Sequence, residues 1–231
     1  NNFTLRSTVE PFKQFRIELT ANKTKSLNRQ EYWRADSEGS FQSFSPIETG
    51  SFSISIISWK TAFFKEDDQY SSKTFSQFRN FRNEIAKRLA AENSNFHGGI
   101  NPLTGFPIEY EIPGDTSSSI IGGYGPTSQD VIIPSFLAAY TGKDAIRVSL
   151  KKFPVIPLPN WRITYDGLTK IKFVKSYFKT FTLGHAYRSS YSVGSFSSNL
   201  DYKDSYGNVQ MNLNNMSYHT KYDVAQVSIN E

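Results

Sequence analysis

Along the start of the chain, apolar and polar residues alternate with a period of two. Phe3, Leu5 and Val9 fall on one face, and Thr4, Arg6 and Thr8 on the other. A break at residues 10–14 contains Pro11, after which Phe15, Ile17, Leu19 and Ala21 alternate with Arg16, Glu18, Thr20 and Asn22. Successive side chains of a strand point to opposite faces, so the pattern predicts two half-buried strands joined as an antiparallel hairpin. Residues 28–47 are polar, carry Gly39 and Pro46, and read as a long loop that holds Tyr32 and Trp33. Alternation resumes over 49–63, with Ser51, Ser53 and Ser55 against Phe52, Ile54 and Ile56. The phase then switches to Ile57, Trp59 and Phe63, which predicts a bulge or the end of an apolar band.

Over residues 64–157 the period changes. Phe75, Phe78, Phe81 or Arg82, Ile85 and Leu89 recur at helical spacing and predict a helix over 74–91, with Thr74 or Ser76 as N-cap. The glycines and prolines between Gly98 and Gly114 mark irregular chain. A second helix is predicted over 128–141, with Pro134 in its first turn and Gly142 as terminator. The β pattern returns after 157. Trp161, Ile163 and Tyr165 alternate with Arg162, Thr164 and Asp166. Phe181, Leu183, His185, Tyr187, Tyr191 and Val193 form another apolar series. Between these two runs, residues 170–178 form a basic, aromatic connector; residues 201–215 are turn-rich, and 218–229 read as a further strand. The organisation expected is therefore strands over 1–63, a helical and irregular insertion over 64–157, and further strands over 158–231.

Composition narrows the class. Phe, Tyr and Trp make up 15% of the 231 residues, which argues against disorder. Cysteine is absent, which excludes disulfides, thiol catalysis and Cys-ligated metals. The net charge of +5 is scattered, and its longest basic cluster is the loose set Lys170, Lys172, Lys175 and Lys179. No arginine-rich stripe appears, so nucleic acid is not an expected partner. No apolar run approaches the ~20 residues of a membrane helix, but barrel strands alternate and need no such run. The chain starts without Met inside a strand pattern, which suggests a piece of something longer.

Candidate chemistry is sparse. His97, His185 and His219 lack metal-motif spacing. The stretch from Gly122 to Pro126 lacks the Lys-Ser/Thr of a phosphate loop, and Pro126 removes a backbone donor. Glu66, Asp67 and Asp68 read as a solvated run, and the spacing of Asp201 and Asp204 is that of a turn, not of a calcium loop. An enzyme is not expected; no catalytic, metal-binding or cofactor-binding residue is assigned, and no cofactor is implied. The aromatics carry more. Trp59, Trp161, Tyr165, Tyr187 and Tyr191 lie near strand ends or along strands, as in the interfacial girdles of an outer-membrane barrel. In a soluble sandwich the same residues would form core or a sugar-stacking platform.

Several short motifs occur in one order: Phe3-Thr-Leu-Arg with Val9-Glu-Pro-Phe, Leu19-Thr-Ala-Asn, Asn101-Pro-Leu, the run from Asp130 to Gly142, the run from Pro157 to Leu168, and His185-Ala-Tyr-Arg-Ser-Ser-Tyr. Together they resemble the C-terminal part of the SprA/Sov family, the outer-membrane translocons of type IX secretion in Bacteroidetes, which also support gliding motility. The resemblance spans nearly the whole chain. It implies a very large single-chain β-barrel in the outer membrane of a Gram-negative cell, conducting already folded proteins that carry C-terminal targeting domains. It also implies a lateral opening for a PorV-type shuttle barrel and a periplasmic plug protein that closes the pore.

Membrane backbone must be fully hydrogen-bonded, so a membrane sheet must close. The pattern supplies about five to seven strands, fewer than the ~8 of the smallest bacterial barrels. The expected fold class is therefore mainly β, an antiparallel sector of a very large outer-membrane barrel, with the insertion at a barrel rim. The remainder of the same barrel and the lipid bilayer are then its neighbours. Phe15, Ile17, Leu19, Phe52, Ile54 and Ile56 are expected to face lipid, and Arg16, Glu18, Thr20, Ser53 and Ser55 the lumen. The alternatives are a soluble, surface-exposed β-domain that binds glycan or protein through Trp33 and Trp161, and a sector of another large barrel, such as a TonB-dependent transporter or a lipopolysaccharide-assembly porin.

Overall fold

Alternation does make strands. In the computed structural model, which describes residues 1–61, 72–93, 110–111, 119–120, 123–203, 209–212 and 217–230, β1 (Asn2–Phe12) and β2 (Phe15–Ala35) pair antiparallel across a two-residue turn. Gln14 takes a positive φ of 71° in that turn. β3 (Phe41–Ser55) then pairs with β2 from Lys23↔Ile54 to Ala35↔Phe41. Residues 28–47, expected as a loop, are thus mostly the two arms of a long hairpin. Polar side chains fall on both faces, and Tyr32, Trp33, Phe41 and Phe44 among them are exposed and follow no regular period, so no apolar pattern marks the arms. The backbone ladder needs no such period. Asp36 closes the turn by accepting at Oδ1 from the amides of Glu38 and Ser40, both at 2.9 Å, and Gly39 supplies a φ of +81°.

β3 stops at Ser55, so the strand expected to continue to residue 63 ends earlier, and the described residues after it are irregular. Its place beside β2 is taken by β6 (Asn160–Tyr165), which pairs from Thr20↔Asn160 to Phe15↔Tyr165. β3 and β6 run in the same direction along one edge of β2. They act as one strand interrupted between Ser55 and Asn160. The next strand is continuous apart from a break at Arg188 and Ser189: β7 (Leu183–Tyr187) pairs with β6, and β8 (Ser190–Ser198) with β3. β11 (Tyr222–Val224) and β12 (Val227–Asn230) both pair with β8. The product is an eight-stranded antiparallel sheet, curled as a half-barrel. Two small ladders lie outside it, β4 (Tyr110–Glu111) with β5 (Ser119–Ile120), and β9 (Met211–Asn212) with β10 (Ser217–Tyr218). The insertion leaves the sheet in the middle of one strand line, between Ser55 and Asn160.

Breaking a strand mid-sheet strands backbone donors and acceptors, and buried ones must find partners. Hydroxyl and amide side chains supply them. Ser55 Oγ donates to the carbonyl of Leu158 at 2.7 Å and accepts from the amide of Asn22 at 3.0 Å, while the Leu158 amide donates to the Ser55 carbonyl. Asn160 Oδ1 accepts from the amide of Ser189 at 2.9 Å, and the Ser189 carbonyl accepts from the amide of Ile56. Ser58 Oγ lies 2.7 Å from Ser189 Oγ, and the Ser58 amide donates to Tyr187 Oη at 2.7 Å. Ser55, Ser58, Asn160 and Ser189 are all buried.

The excursion folds back onto the sheet through α1 (Lys73–Glu92) and α2 (Gln129–Thr141). Ser72, two residues before Thr74 and four before Ser76, is the N-cap and accepts from the Phe75 amide at 3.4 Å. Pro134 is not in the first turn but at the sixth helical position of α2, and Gly142 ends the helix at φ 62° as expected. Ile85, Ala86, Val131, Ile133, Leu137 and Ala138 pack on Phe52, Ile54, Tyr191, Val193 and Phe196. Full burial of each large aliphatic group stabilises by about 1.5–3 kcal/mol. Two cations drawn toward this core are paired, while the buried Ser128 Oγ at the start of α2 is left without a hydrogen-bond partner. Arg88 donates to the carbonyls of Ala145 and Val148, and Lys152 bridges to Asp130 at 2.9 Å and donates to the Tyr222 carbonyl.

Asn160→Ala leaves the buried Ser189 amide without its acceptor and should lower stability by about 1–3 kcal/mol. Ile146→Ala, on an exposed side chain, should stay within about 0.5 kcal/mol. Denaturant midpoints of the two variants check this, and an equal, small effect from both would remove the role given to the strand break.

Candidate functional site

Strand registers sort the sheet into two chemically distinct faces. Directly paired residues share a face. One face carries Phe15–Tyr165–Leu183, Val9–Ile17–Ile163–His185, Ser7–Leu19–Trp161–Tyr187, Leu5–Ala21 and Phe3–Lys23–Ile54–Tyr191 as successive rows. The opposite face carries Arg6, Arg16, Glu18, Thr20, Asn22, Ser53, Asn160, Arg162 and Ser192.

The apolar face is divided by the insertion. Over β3 and β8 it is covered. Phe52, Ile54 and Ile56 are buried against the chain's own helices, so the expectation that they face lipid is corrected. Tyr191 is corrected likewise: it is 0% exposed, its hydroxyl donates to the Lys152 carbonyl at 3.1 Å, and it forms no girdle. Over β1, the start of β2, β6 and β7 the same face is open. Phe3, Leu5, Val9, Phe12 and Leu183 are exposed, and Phe15, Ile17, Leu19 and Ile163 are half-buried by their sheet neighbours alone. From the Phe15 row to the Phe3 row the band runs about 27 Å at ~3.4 Å per residue, and about 19–22 Å once the ~35–45° strand tilt of a barrel is allowed for.

Aromatic rings stand at one end of this open band and across its middle. Phe12 stacks on Phe15 at 4.7 Å, and Tyr165 meets both rings edge-on at 6.0 Å. Trp161 stacks on Tyr187 at 4.4 Å, which leaves the Tyr187 hydroxyl to serve the strand break. Trp59 is exposed in the first turn of the insertion, away from these rows. Lys23 and Lys25 follow at the far end, Lys23 donating to the Val155 carbonyl and Lys25 lying 5.2 Å from the centre of the Phe153 ring.

On the polar face, Arg6, Glu18, Asn22, Asn160, Arg162 and Arg188 line a shallow depression of about 490 Å³. Arg16 and Glu18 pair at 3.2 Å, and Arg162 stands opposite Glu18 in the ladder. Of the residues expected to face a lumen, Arg16, Glu18, Thr20 and Ser53 lie here. Ser55 does not face open space: it is 3% exposed and tied into the strand break, which corrects its assignment. Away from the open band, Tyr222 donates to Glu48 at 2.6 Å, and this bond pushes its phenol up to about 12.

Among the described residues, no three His, Asp or Glu side chains converge as a metal site. His185 is exposed on the apolar face, and His219 lies 3.4 Å from Asn199. His97, the acidic run 66–68 and Asp204 lie outside the described residues. The polar cluster of Ser58, Asn160 and Ser189 escaped the sequence reading, because isolated Ser and Asn residues at segment ends carry no periodic signal. No family model and no curated protein matches the chain.

Ile54 and Ile163 share a face, yet only Ile54 is covered. Ile54→Ala should cost about 2–5 kcal/mol, and Ile163→Ala about 1 kcal/mol or less. Equal losses in urea unfolding would contradict the division of the face.

Proposed function

We propose that the chain is a wall sector of a large outer-membrane β-barrel, of the protein-conducting kind that the resemblance to the SprA/Sov translocons implies. One observation carries this reading: an antiparallel meander holds an open apolar band on one face and a charged, hydroxyl-rich surface on the other. The band's height, about 19–22 Å, is a little under the ~25 Å apolar belt of outer-membrane barrels, and an aromatic cluster of Phe12, Phe15 and Tyr165 stands at one end of it. The sheet is also open among the described residues, with β1 paired on one side only and β7 paired only with β6. Unpaired ladder edges have no water to satisfy them in a bilayer, so further strands of the same barrel would have to close them.

In this reading Phe15, Ile17 and Leu19 meet lipid, and Arg16, Glu18, Thr20 and Ser53 meet the water-filled lumen. The work is transport without bond chemistry. The wall resists unfolding and presents a wet surface to cargo, while opening and closing fall to the partners that the resemblance implies: a shuttle barrel at a lateral opening, a periplasmic plug, and folded cargo with C-terminal targeting domains. Support for gliding motility would follow from the same export. A second reading, a soluble β-domain that binds glycan or protein, is favoured by the core that the insertion builds with β3 and β8.

Cysteine scanning tests the proposal. In membranes containing the full protein, Glu18→Cys should react with a water-soluble maleimide and Ile17→Cys should not, while Ile54→Cys should stay protected even after detergent extraction. Equal labelling at Ile17 and Glu18 would overturn the facing assignment. A compact monomer that sediments without detergent would favour the soluble domain.

A further inference from the structure

Among the described residues, the chain between β6 and β7 sets exposed cations beside exposed aromatic rings. A short 3₁₀ turn (Gly167–Lys170) leads into α3 (Lys172–Tyr177), and both lie on the surface. From Gly167 to Phe181 there are four lysines, Lys170, Lys172, Lys175 and Lys179, and no Asp or Glu. All four lysines are exposed. Interleaved with them are exposed apolar groups: Phe173 is 73% and Tyr177 72% exposed, and Ile171, Phe178 and Phe181 are exposed as well. Phe173 and Tyr177 lie four residues apart with rings 5.2 Å apart, and Phe178 and Phe181 pair at 5.7 Å. These rings touch each other and remain in solvent.

The position of the segment matters as much as its composition. It continues directly from Tyr165 at the end of the open apolar band, and the Asp166 amide donates to the Gln14 carbonyl at 3.1 Å. The β1–β2 turn therefore lies beside it and adds Lys13. Basic and aromatic groups thus sit together at the level where the apolar band stops.

We infer that this connector is a docking element for the anionic head groups of the bilayer in which the apolar band sits. The lysines neutralise phosphate or carboxylate charge, and Phe173, Tyr177, Phe178 and Phe181 enter the head-group boundary beside them. A positive stretch without carboxylates complements an anionic lipid surface, and rings that keep one side wet suit that boundary. The inference rests on the membrane-wall reading and adds a lipid class and a set of residues to it.

Flotation of the full protein with phosphatidylcholine vesicles, with and without phosphatidylglycerol, tests both levels. Binding should be stronger on the anionic vesicles and should weaken with added salt. Changing Lys170, Lys172, Lys175 and Lys179 together to Gln should lower binding to anionic vesicles by about tenfold or more and leave binding to neutral vesicles unchanged. The corresponding change to Arg should keep it. Matching far-UV circular dichroism of both variants to the parent excludes misfolding as the cause. Equal binding to both vesicles, or full binding by the Gln variant, overturns the docking role alone. Failure to bind any vesicle overturns the membrane-wall reading with it.

Discussion

A β-strand interrupted in the middle of a sheet must satisfy the backbone groups that the interruption strands, and the rest of this structure depends on how that is done. Between Ser55 and Asn160 the ladder loses its continuity on both sides, against β2 and against the β7–β8 strand. Short hydroxyl and amide side chains take over. Ser55 serves both the Asn22 amide and the Leu158 carbonyl, and Asn160 serves the Ser189 amide. An unpaired buried amide is costly, whereas a side-chain partner restores most of the lost hydrogen bond. With that cost removed, the chain leaves the sheet, builds two helices, and rejoins the same strand line without shifting the register of β2.

The excursion decides which part of the apolar face is core. Alternation runs through β2 with Phe15, Ile17, Leu19 and Ala21, and through β3 with Phe52 and Ile54, all on one face. Ile85, Val131 and Leu137 cover the β3 end. Nothing among the described residues covers the β1–β6–β7 end, where Phe3, Leu5 and Val9 remain exposed. A continuous exposed apolar patch of this kind marks a surface that meets lipid or another protein. The same sheet thus has the interior of a globular domain at one end and an unfinished surface at the other.

The opposite face is polar, and in the proposed barrel wall it would turn toward the lumen. Arg6, Arg162 and Arg188 with Glu18 make a hydrated, charged surface, and Ser53 faces Ser192 at 3.2 Å. Such a surface tolerates water but not burial without partners. The curl of the sheet and the split between a wet and a greasy face are two expressions of one alternation, bent by strand twist.

Much of this was legible in the residues. The hairpin of β1 and β2, the helix around Ile85, the terminator Gly142 and the strand at Trp161 follow from period and from the conformational freedom of glycine. The two-sidedness of residues 15–20 is likewise a property of alternation alone. The long polar hairpin over 28–47 was not legible, because its stability lies in backbone pairing with β3 and leaves no apolar period. Nor was the burial of Ile54, Ile56 and Tyr191, since alternation says which residues share a face and not what lies on top of it. The strand break was hidden for a similar reason: Ser55 and Asn160 are 105 positions apart in the sequence and become neighbours along one strand line only through β2. Local chemistry therefore determined where the alternating strands, the helices and several turns form and which residues of one strand share a face, through side-chain period and turn geometry. The tertiary structure alone decided which half of that face is covered, because coverage depends on contacts between segments far apart in the chain.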